Sequence, residues 1–188
     1  ACPATGQAGP SGSAAAFDGV DDVVVVETPA ESPFFTVAAW VKRTGANAGR
    51  ETIVDFGCGA VLSLNEDRWG GAGEHRPLIQ AYTDTYLQGY DPVAPDTWVH
   101  LAAVRDRNDV FRLYRDGRLL ASTTLTWAST DCDHPTVIGA SPSGEGFTDH
   151  FPGLIDEVRL FDRGLSADEV RALYVGAGPL VALPFEVD

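Results

Sequence analysis

The sequence predicts an all-β fold, an antiparallel two-sheet jelly-roll sandwich with one short C-terminal helix. Short segments that alternate apolar and polar residues follow one another along most of the chain, as half-buried strands do. Gly, Pro, Asp and Asn separate these segments at short intervals and indicate turns. A helical pattern occurs only near the C-terminal end, at 166–175. Many short strands with one helix pack most simply as two facing sheets.

The strand candidates share this alternation and are rich in β-branched and aromatic residues. They are 21–27, 35–43, 51–57, 60–65, 77–84, 98–106, 110–116, 118–124, 135–140 and 153–161. Asp116-Gly117 separates two of them and predicts a hairpin with a type I′ turn. Residues 1–16 consist mainly of small residues, Gly and Pro, and we expect a linker or a lead-in strand there.

The last strand candidate is followed directly by the helix. Ser166 with Glu169 three residues later is the pattern of a capping box, which predicts that the helix begins there. In the strand, Asp156 has the same phase as Leu154 and Val158, so a regular strand would point its carboxylate inward. A buried carboxylate needs a partner, because burial without one costs several kcal/mol.

The composition limits the class of partner. The 188 residues have a formal net charge of −14, so nucleic acid, which binds clustered cations, is not an expected partner. The apolar runs are too short for membrane insertion. We expect a single domain over 1–188. Its parts are a lead-in (1–16), a core (17–176) and a terminal strand or the start of a neighbouring unit (177–188). The absence of Met favours excision from a longer protein.

The three cysteines, Cys2, Cys58 and Cys132, leave one over if a single disulfide forms. Their spacing is not that of a zinc site. If a disulfide forms, we expect Cys58–Cys132, because loops of a compact sandwich can meet whereas a chain terminus is less tied down.

Several motifs together resemble a known family. They are FDGVDDVVVV (17–26), WVHLA (98–102), YRDG (114–117) and FPGLIDEVRLFDRGLS (151–166). Their order and spacing over 14–176 resemble the laminin G-like domains, and more narrowly the bacterial concanavalin A-like lectin/glucanase jelly-roll modules. The resemblance implies a non-catalytic module of a secreted bacterial protein that binds glycans or proteins, often with a calcium ion.

In the fold that the resemblance implies, the strands that begin near Phe17 and Leu154 lie close together, so Asp18 would approach Asp156. Two neighbouring carboxylates repel unless one is protonated or a cation lies between them. Calcium fits best, because it is a hard cation that takes six to eight oxygen ligands, including backbone carbonyls. Gly19 and the loop 44–47 could supply such carbonyls.

A reading without metal also fits this pattern. Backbone N–H groups, or an arginine such as Arg159 or Arg163, could satisfy Asp156, and Asp18 could cap a turn.

No catalytic motif is visible. Glucanases of this superfamily carry alternate acids on one strand, in a Glu-x-Asp-x-Glu arrangement. Here Asp156 and Glu157 are adjacent and face opposite ways, whereas Glu51 and Asp55 are four residues apart. The four histidines are scattered, at positions 75, 100, 134 and 150. We therefore expect no enzymatic activity.

The segment 65–93 carries aromatic residues among acids and glycines, and we expect it to bind a ligand. Sugars stack their apolar C–H face on aromatic rings and hydrogen-bond to nearby polar side chains. The candidate ligand-binding residues are Trp69, His75, Asp84, Tyr86 and Tyr90. Alternatively, Tyr82 and Tyr86 pack a sheet face. A second loop, 127–135, could neighbour this segment or bind a surface cation.

The sequence thus predicts a monomeric, extracellular or cell-surface module of a larger exported bacterial protein. We expect its partner to be a carbohydrate or a cell-surface glycoprotein, with a calcium ion as cofactor. The alternative is a structural or protein-interaction spacer that binds no sugar.

Overall fold

The computed structural model describes residues 1–26, 34–45, 49–57, 60–65, 74–81, 85–125 and 135–176. These residues form fifteen strands and one helix. In chain order they are β1 (Ala4–Gly9), β2 (Gly12–Asp18), β3 (Val24–Val26), β4 (Phe35–Arg43), β5 (Glu51–Asp55), β6 (Ala60–Leu64), β7 (Pro77–Ala81), β8 (Thr85–Gln88), β9 (Val99–Arg105), β10 (Val110–Arg115), β11 (Arg118–Thr124), β12 (Thr136–Ile138), β13 (Ser141–Ser143), β14 (Gly146–Thr148), β15 (Pro152–Phe161) and α1 (Ala167–Val175).

Two antiparallel sheets make up the architecture. One has seven strands in the order β1-β2-β15-β4-β9-β10-β11, and the other has six in the order β3-β12-β5-β6-β7-β8. The hairpin β13–β14 forms a small third sheet. The predicted all-β sandwich with one short helix is confirmed. Among the described residues, no helix is long and apolar enough to cross a bilayer.

The core lies between the two large sheets, where alternate residues of each strand meet. Phe35 and Phe111 of the seven-stranded sheet are fully buried, with ring centroids 6.2 Å apart in an edge-on arrangement. Phe56 follows β5 of the other sheet, and its ring lies 5.1 Å from that of Phe35. Each such buried side chain contributes about 1.5–3 kcal/mol to folding.

The predicted strands agree best with the structure where alternation and turn chemistry coincide. The segments 35–43 and 118–124 are β4 and β11 as predicted. Asp116 and Gly117 have φ of 49° and 72°, both positive as a type I′ turn requires, so the hairpin is confirmed. The hairpin β1–β2 takes up the small-residue lead-in, and β8 and β13–β14 were not predicted.

Helix α1 begins and ends as its sequence predicts. Ser166 Oγ accepts a hydrogen bond from the Glu169 amide, and Glu169 Oε2 accepts one from the Ser166 amide, which completes the capping box. Arg163 Nη2 donates to Glu169 Oε1 at 2.7 Å, and this guanidinium holds the pKa of Glu169 at about 2. Val170 packs the helix against the outer face of the seven-stranded sheet.

The predicted pairing of Cys58 with Cys132 lies outside the described residues and stays a prediction. Cys2 is exposed and forms no disulfide. In the sequence, Cys58 comes shortly after β5 and Cys132 comes shortly before β12. These two strands pair with each other. The segment 177–188 also lies outside the described residues.

His100 is buried under the C-terminal end of α1, where its ring contacts Trp40 and Tyr174. Burial lowers the pKa of His100 to about 4, Asp116 opposes this shift and Arg159 adds to it. An unfolded histidine titrates near 6.5. Between pH 6.5 and about 4 the unfolded chain therefore binds more protons at this site than the folded one does.

We expect acid to destabilise the fold through His100. Stability falls as the pH falls through this window, because protons bind preferentially to the unfolded chain. From pH 7 to 4.5 the contribution of His100 to the loss in unfolding free energy is about 2 kcal/mol. Urea unfolding of wild type and His100→Gln at both pH values measures it. Equal losses in the two proteins would contradict the assignment.

Gly139 fixes the approach of β12 to β2. Its φ of 87° suits glycine, and a Cβ here would overlap the ring of Phe17. We expect Gly139→Ala to lower the unfolding free energy by about 2–4 kcal/mol, because backbone strain and steric overlap add. Gly146→Ala is the control, since its Cβ would meet nothing within 4 Å. Urea titration of both variants checks this, and similar midpoints would be inconsistent with it.

Candidate functional site

Asp18 and Asp156 do not lie together. Register places Asp18 opposite Pro152, and Asp156 is four residues further along β15. At ~3.3 Å per residue this separates the two positions by about 13 Å along the strand. The expectation that both carboxylates share one ion is therefore corrected by the pairing of β2 with β15.

Asp156 does not point into the core, because β15 contains a bulge. The register of β15 against β4 shifts between Asp156 and Arg159, and Glu157 has a positive φ of 50°. The core contacts Ile155 before the bulge and Val158 after it. One extra residue thus changes the phase of the strand, and Asp156 lies on the outer face.

Backbone donors satisfy the Asp156 carboxylate. Oδ1 accepts a hydrogen bond from the Glu157 amide at 2.9 Å, and Oδ2 accepts one from the Ser11 amide at 3.2 Å. Gly9 lies so close that a Cβ there would overlap this carboxylate. Asp156 is thus held by backbone donors, as the reading without metal expects, and it holds the turn between β1 and β2 against β15.

Asp18 belongs to a different acidic cluster, with Asp21 and Asp22. One carboxylate oxygen from each of the three lies within 4.8 Å of the others. Asp18 Oδ1 accepts hydrogen bonds from the amides of Val20 (2.8 Å) and Asp21 (3.2 Å). These bonds lower the pKa of Asp18 and keep it ionised. The cluster lies in the turn that leads from β2 of one sheet to β3 of the other.

This acidic cluster could hold a metal ion. Its three carboxylates repel one another in the absence of a cation, and they offer the hard oxygen ligands that divalent cations prefer. Asp22 is buried and its Oδ2 accepts from the Asp18 amide at 3.1 Å, so the turn itself orients two of the three acids. Asp21 and Asp22 were missed in the sequence, although both stand within the FDGVDD motif.

His75 lies in a buried charged cluster that joins the two sheets. Its Nε2 is 2.9 Å from Nη2 of Arg43, at the end of β4, and its Nδ1 is 3.4 Å from Oε2 of Glu51, at the start of β5. Arg43 Nε lies 3.5 Å from the same Glu51 oxygen. Burial, followed by the charge of Arg43, lowers the pKa of His75. This position gives His75 a role in holding β4 to β5.

Tyr86 lies on the outer face of the six-stranded sheet. It is half-buried in β8, directly opposite Gln80 of β7. Gln80 Oε1 accepts a hydrogen bond from Arg50 Nη1 at 2.6 Å. Arg50 Nε also lies 3.4 Å from Oδ2 of Asp149. Tyr86, Gln80, Arg50 and Asp149 thus form a row, here called the polar row, on one side of the molecule.

The other predicted ligand-binding residues are placed only in part. Tyr90 follows β8 and is 78% exposed. Trp69, Asp84, Tyr82 and the loop 127–134 lie outside the described residues. Arg50 and Gln80 were not predicted. The signal for Gln80 was its position in a strand candidate, whereas Arg50 precedes its strand and gave none.

The sequence matches a family model described as the concanavalin A-like lectin/glucanases superfamily over residues 18–171. The chain belongs to this superfamily. A comparison of this superfamily member with curated protein sequences gives no match.

Solved structures share the fold of this superfamily member at low sequence identity. Domain 4 of AbnA, an extracellular GH43 arabinanase of Geobacillus stearothermophilus solved with arabinotriose, has 21% identity and a TM-score of 0.69. The alignment covers 93% of this chain and 82% of that one. The CBM40 of the Ruminococcus gnavus IT-sialidase, bound to α2,3 sialyllactose, has 18% identity, a TM-score of 0.62 and coverages of 76% and 83%.

A longer protein of Bacteroides ovatus, proposed to bind carbohydrate, also shares the fold, with 18% identity and a TM-score of 0.66. The alignment covers 79% of this chain but only 43% of that protein. Structures with this fold therefore include carbohydrate-binding modules of larger proteins.

Proposed function

We propose that this chain is a non-catalytic carbohydrate-binding module of a larger exported bacterial protein. The polar row carries the proposal, because it combines a half-buried aromatic ring with fixed donors and acceptors on an outer sheet face. The oligosaccharides bound by the similar AbnA domain and by the sialidase CBM40 support the same class of ligand.

The polar row has the chemistry that a sugar needs. The ring of Tyr86 offers a face to sugar C–H groups, and its hydroxyl can donate or accept. The Gln80 amide can donate to a hydroxyl while its oxygen stays bonded to Arg50. Arg50 is 8% exposed and held by Asp149, so this arrangement loses little freedom when a ligand binds. We also keep Tyr90, Trp69 and Asp84 as proposed sugar-binding residues, as the sequence predicts.

The bonding of two acids, Glu51 and Asp156, supports a non-catalytic role. Glu51, which is fully buried, is compensated by Arg43 and lies next to His75. The Asp156 carboxylate accepts hydrogen bonds from two backbone amides. A retaining glycosidase needs two carboxyl groups about 5–5.5 Å apart, one of them able to protonate the leaving group. The bonding of these two acids serves structure instead.

The proposed module also binds calcium at Asp18, Asp21 and Asp22. Calcium accepts carboxylates together with carbonyls and water in a flexible geometry, which suits a short turn better than the strict octahedron of magnesium. A bound ion would neutralise the three acids and stabilise the connection between the two sheets. Its role is structural, and the location of the module is outside the cell, where calcium is plentiful.

A glycan array with wild type and variants of the polar row tests the binding function. We expect Tyr86→Ala to weaken binding of the recognised glycan about tenfold, the loss of roughly one aromatic contact. Tyr86→Phe should retain most of the affinity if stacking dominates. Gln80→Ala should weaken binding, and Gln7→Ala, at an exposed glutamine of β1, is its control.

Two outcomes would count against this site. Equal affinity of wild type and Tyr86→Ala for the same glycan would place the ligand elsewhere. Absence of any glycan binding by the wild type would favour the spacer alternative.

Scanning calorimetry with calcium or a chelator tests the metal site. An ion that binds only the folded state stabilises it by about 2.7 kcal/mol at a hundredfold excess over Kd, so chelation should lower the Tm by several degrees. Asp22→Asn should abolish the response to calcium. Asp156→Asn is the matched control, because its carboxylate binds backbone amides outside the cluster, and it should keep the response. A wild-type Tm that is the same in calcium and chelator would refute the site.

A further inference from the structure

The outer face of the seven-stranded sheet contains a recess that the polar row does not involve. It is bounded by the turn between β1 and β2, the bulge of β15 and the C-terminal end of α1. Its volume is about 260 Å³, and its polar and aromatic lining residues are Ser11, Trp40, Glu157, Arg159 and Tyr174.

Two aromatic rings form one wall of this recess. The ring centroids of Trp40 and Tyr174 are 5.5 Å apart and their planes are inclined by 31°. His100 is opposite Trp40 in the pairing of β4 with β9 and packs beside it, with ring centroids 5.5 Å apart in an edge-on arrangement. Trp40 lies between core-facing neighbours of β4 but points to the other side of the sheet, where it is half-buried. The wall is therefore both fixed in orientation and partly accessible.

An ion pair on the bulge also lines the recess. Glu157 Oε2 accepts from both Nε and Nη2 of Arg159, and the side chains are 27% and 30% exposed. Within the described part of the chain, Glu157 Oε1 and Arg159 Nη1 have no hydrogen-bond partner. The positive φ of Glu157 belongs to the bulge that directs this pair. One acceptor and one donor are thus held side by side.

We propose that this recess binds one pyranose ring of a neutral saccharide, stacked on Trp40 and Tyr174. Two adjacent hydroxyl groups of the sugar bond to the pair, one donating to Glu157 Oε1 and the other accepting from Arg159 Nη1. The ligand is neutral because Glu157 already compensates the charge of Arg159. A volume below the ~300 Å³ of the smallest drug-sized pockets fits a single ring rather than a longer buried chain.

The recess and the polar row lie on different sheets and face away from the core on opposite sides. Binding at one does not require binding at the other, so each proposal can fail alone. With both sites, one module could contact two saccharide chains at once and gain avidity without a new contact at either site.

Nuclear magnetic resonance with simple sugars tests the recess directly. The indole N–H signal of Trp40 is assigned by its loss in Trp40→Phe. Methyl pyranosides of glucose, galactose, mannose and xylose are then titrated into the ¹⁵N-labelled wild type. We expect at least one to shift the Trp40 indole and the amides of Ser11 and Glu157 in a saturable way. If none of the four shifts these signals, the proposal is overturned, whatever happens at Tyr86 and Gln80.

Variants of the ion pair distinguish hydrogen bonding from mere proximity. Glu157→Gln and Arg159→Gln should each weaken the titration about threefold to tenfold, the usual worth of one hydrogen bond. Arg112→Gln is the matched control, because Arg112 of β10 has the same 30% side-chain exposure as Arg159 and pairs with Asp106, outside the recess. It should leave the titration unchanged. Unchanged titrations in both Glu157→Gln and Arg159→Gln would overturn the proposal, as would an equal loss in Arg112→Gln.

Discussion

The pairing of β15 on both of its sides is the interaction on which the larger sheet depends. β15 lies between β2 and β4, so the last strand that the structure describes joins the first hairpin to the rest of the sheet. Such contacts are far apart in sequence and form only after a large loss of chain entropy. Because of the bulge at Glu157, both Ile155 and Val158 contact the core. Asp156 accepts a hydrogen bond from the turn between β1 and β2, and Arg159 faces outward. Packing and surface chemistry are thus set by one extra residue.

Much of the fold could be predicted because local and global signals agree. Alternation, β-branched residues and the Asp116-Gly117 turn fix β10 and β11, and the capping box of Ser166 fixes the start of α1. The family motifs then supply the order of the strands, which periodicity alone does not. In the candidate site, Tyr86 was predicted from its place among polar residues, and Asp18 from its motif.

The misses have physical causes that the pattern hides. The bulge inserts a residue into β15, so the phase that pointed Asp156 inward is valid only from Val158 onward, and before the bulge it is Ile155 that faces the core. The hairpin β1–β2 is built from small residues with little apolar alternation and is stable because it pairs with β15. Likewise, Arg50 becomes part of the polar row only through tertiary contacts with Gln80 and Asp149, which are distant in sequence.

The cluster of Arg43, Glu51 and His75 has a consequence for how the two sheets align. Arg43 comes from one sheet and Glu51 from the other, and the carboxylate is fully buried. A buried charge that loses its partner costs about 3–5 kcal/mol. Apolar cores tolerate small sliding between facing layers, because one methyl group packs much like another. In a sandwich assembled one residue out of register, Glu51 would lose its ion pair with Arg43, so this cluster discriminates against misaligned assemblies that hydrophobic packing alone would accept.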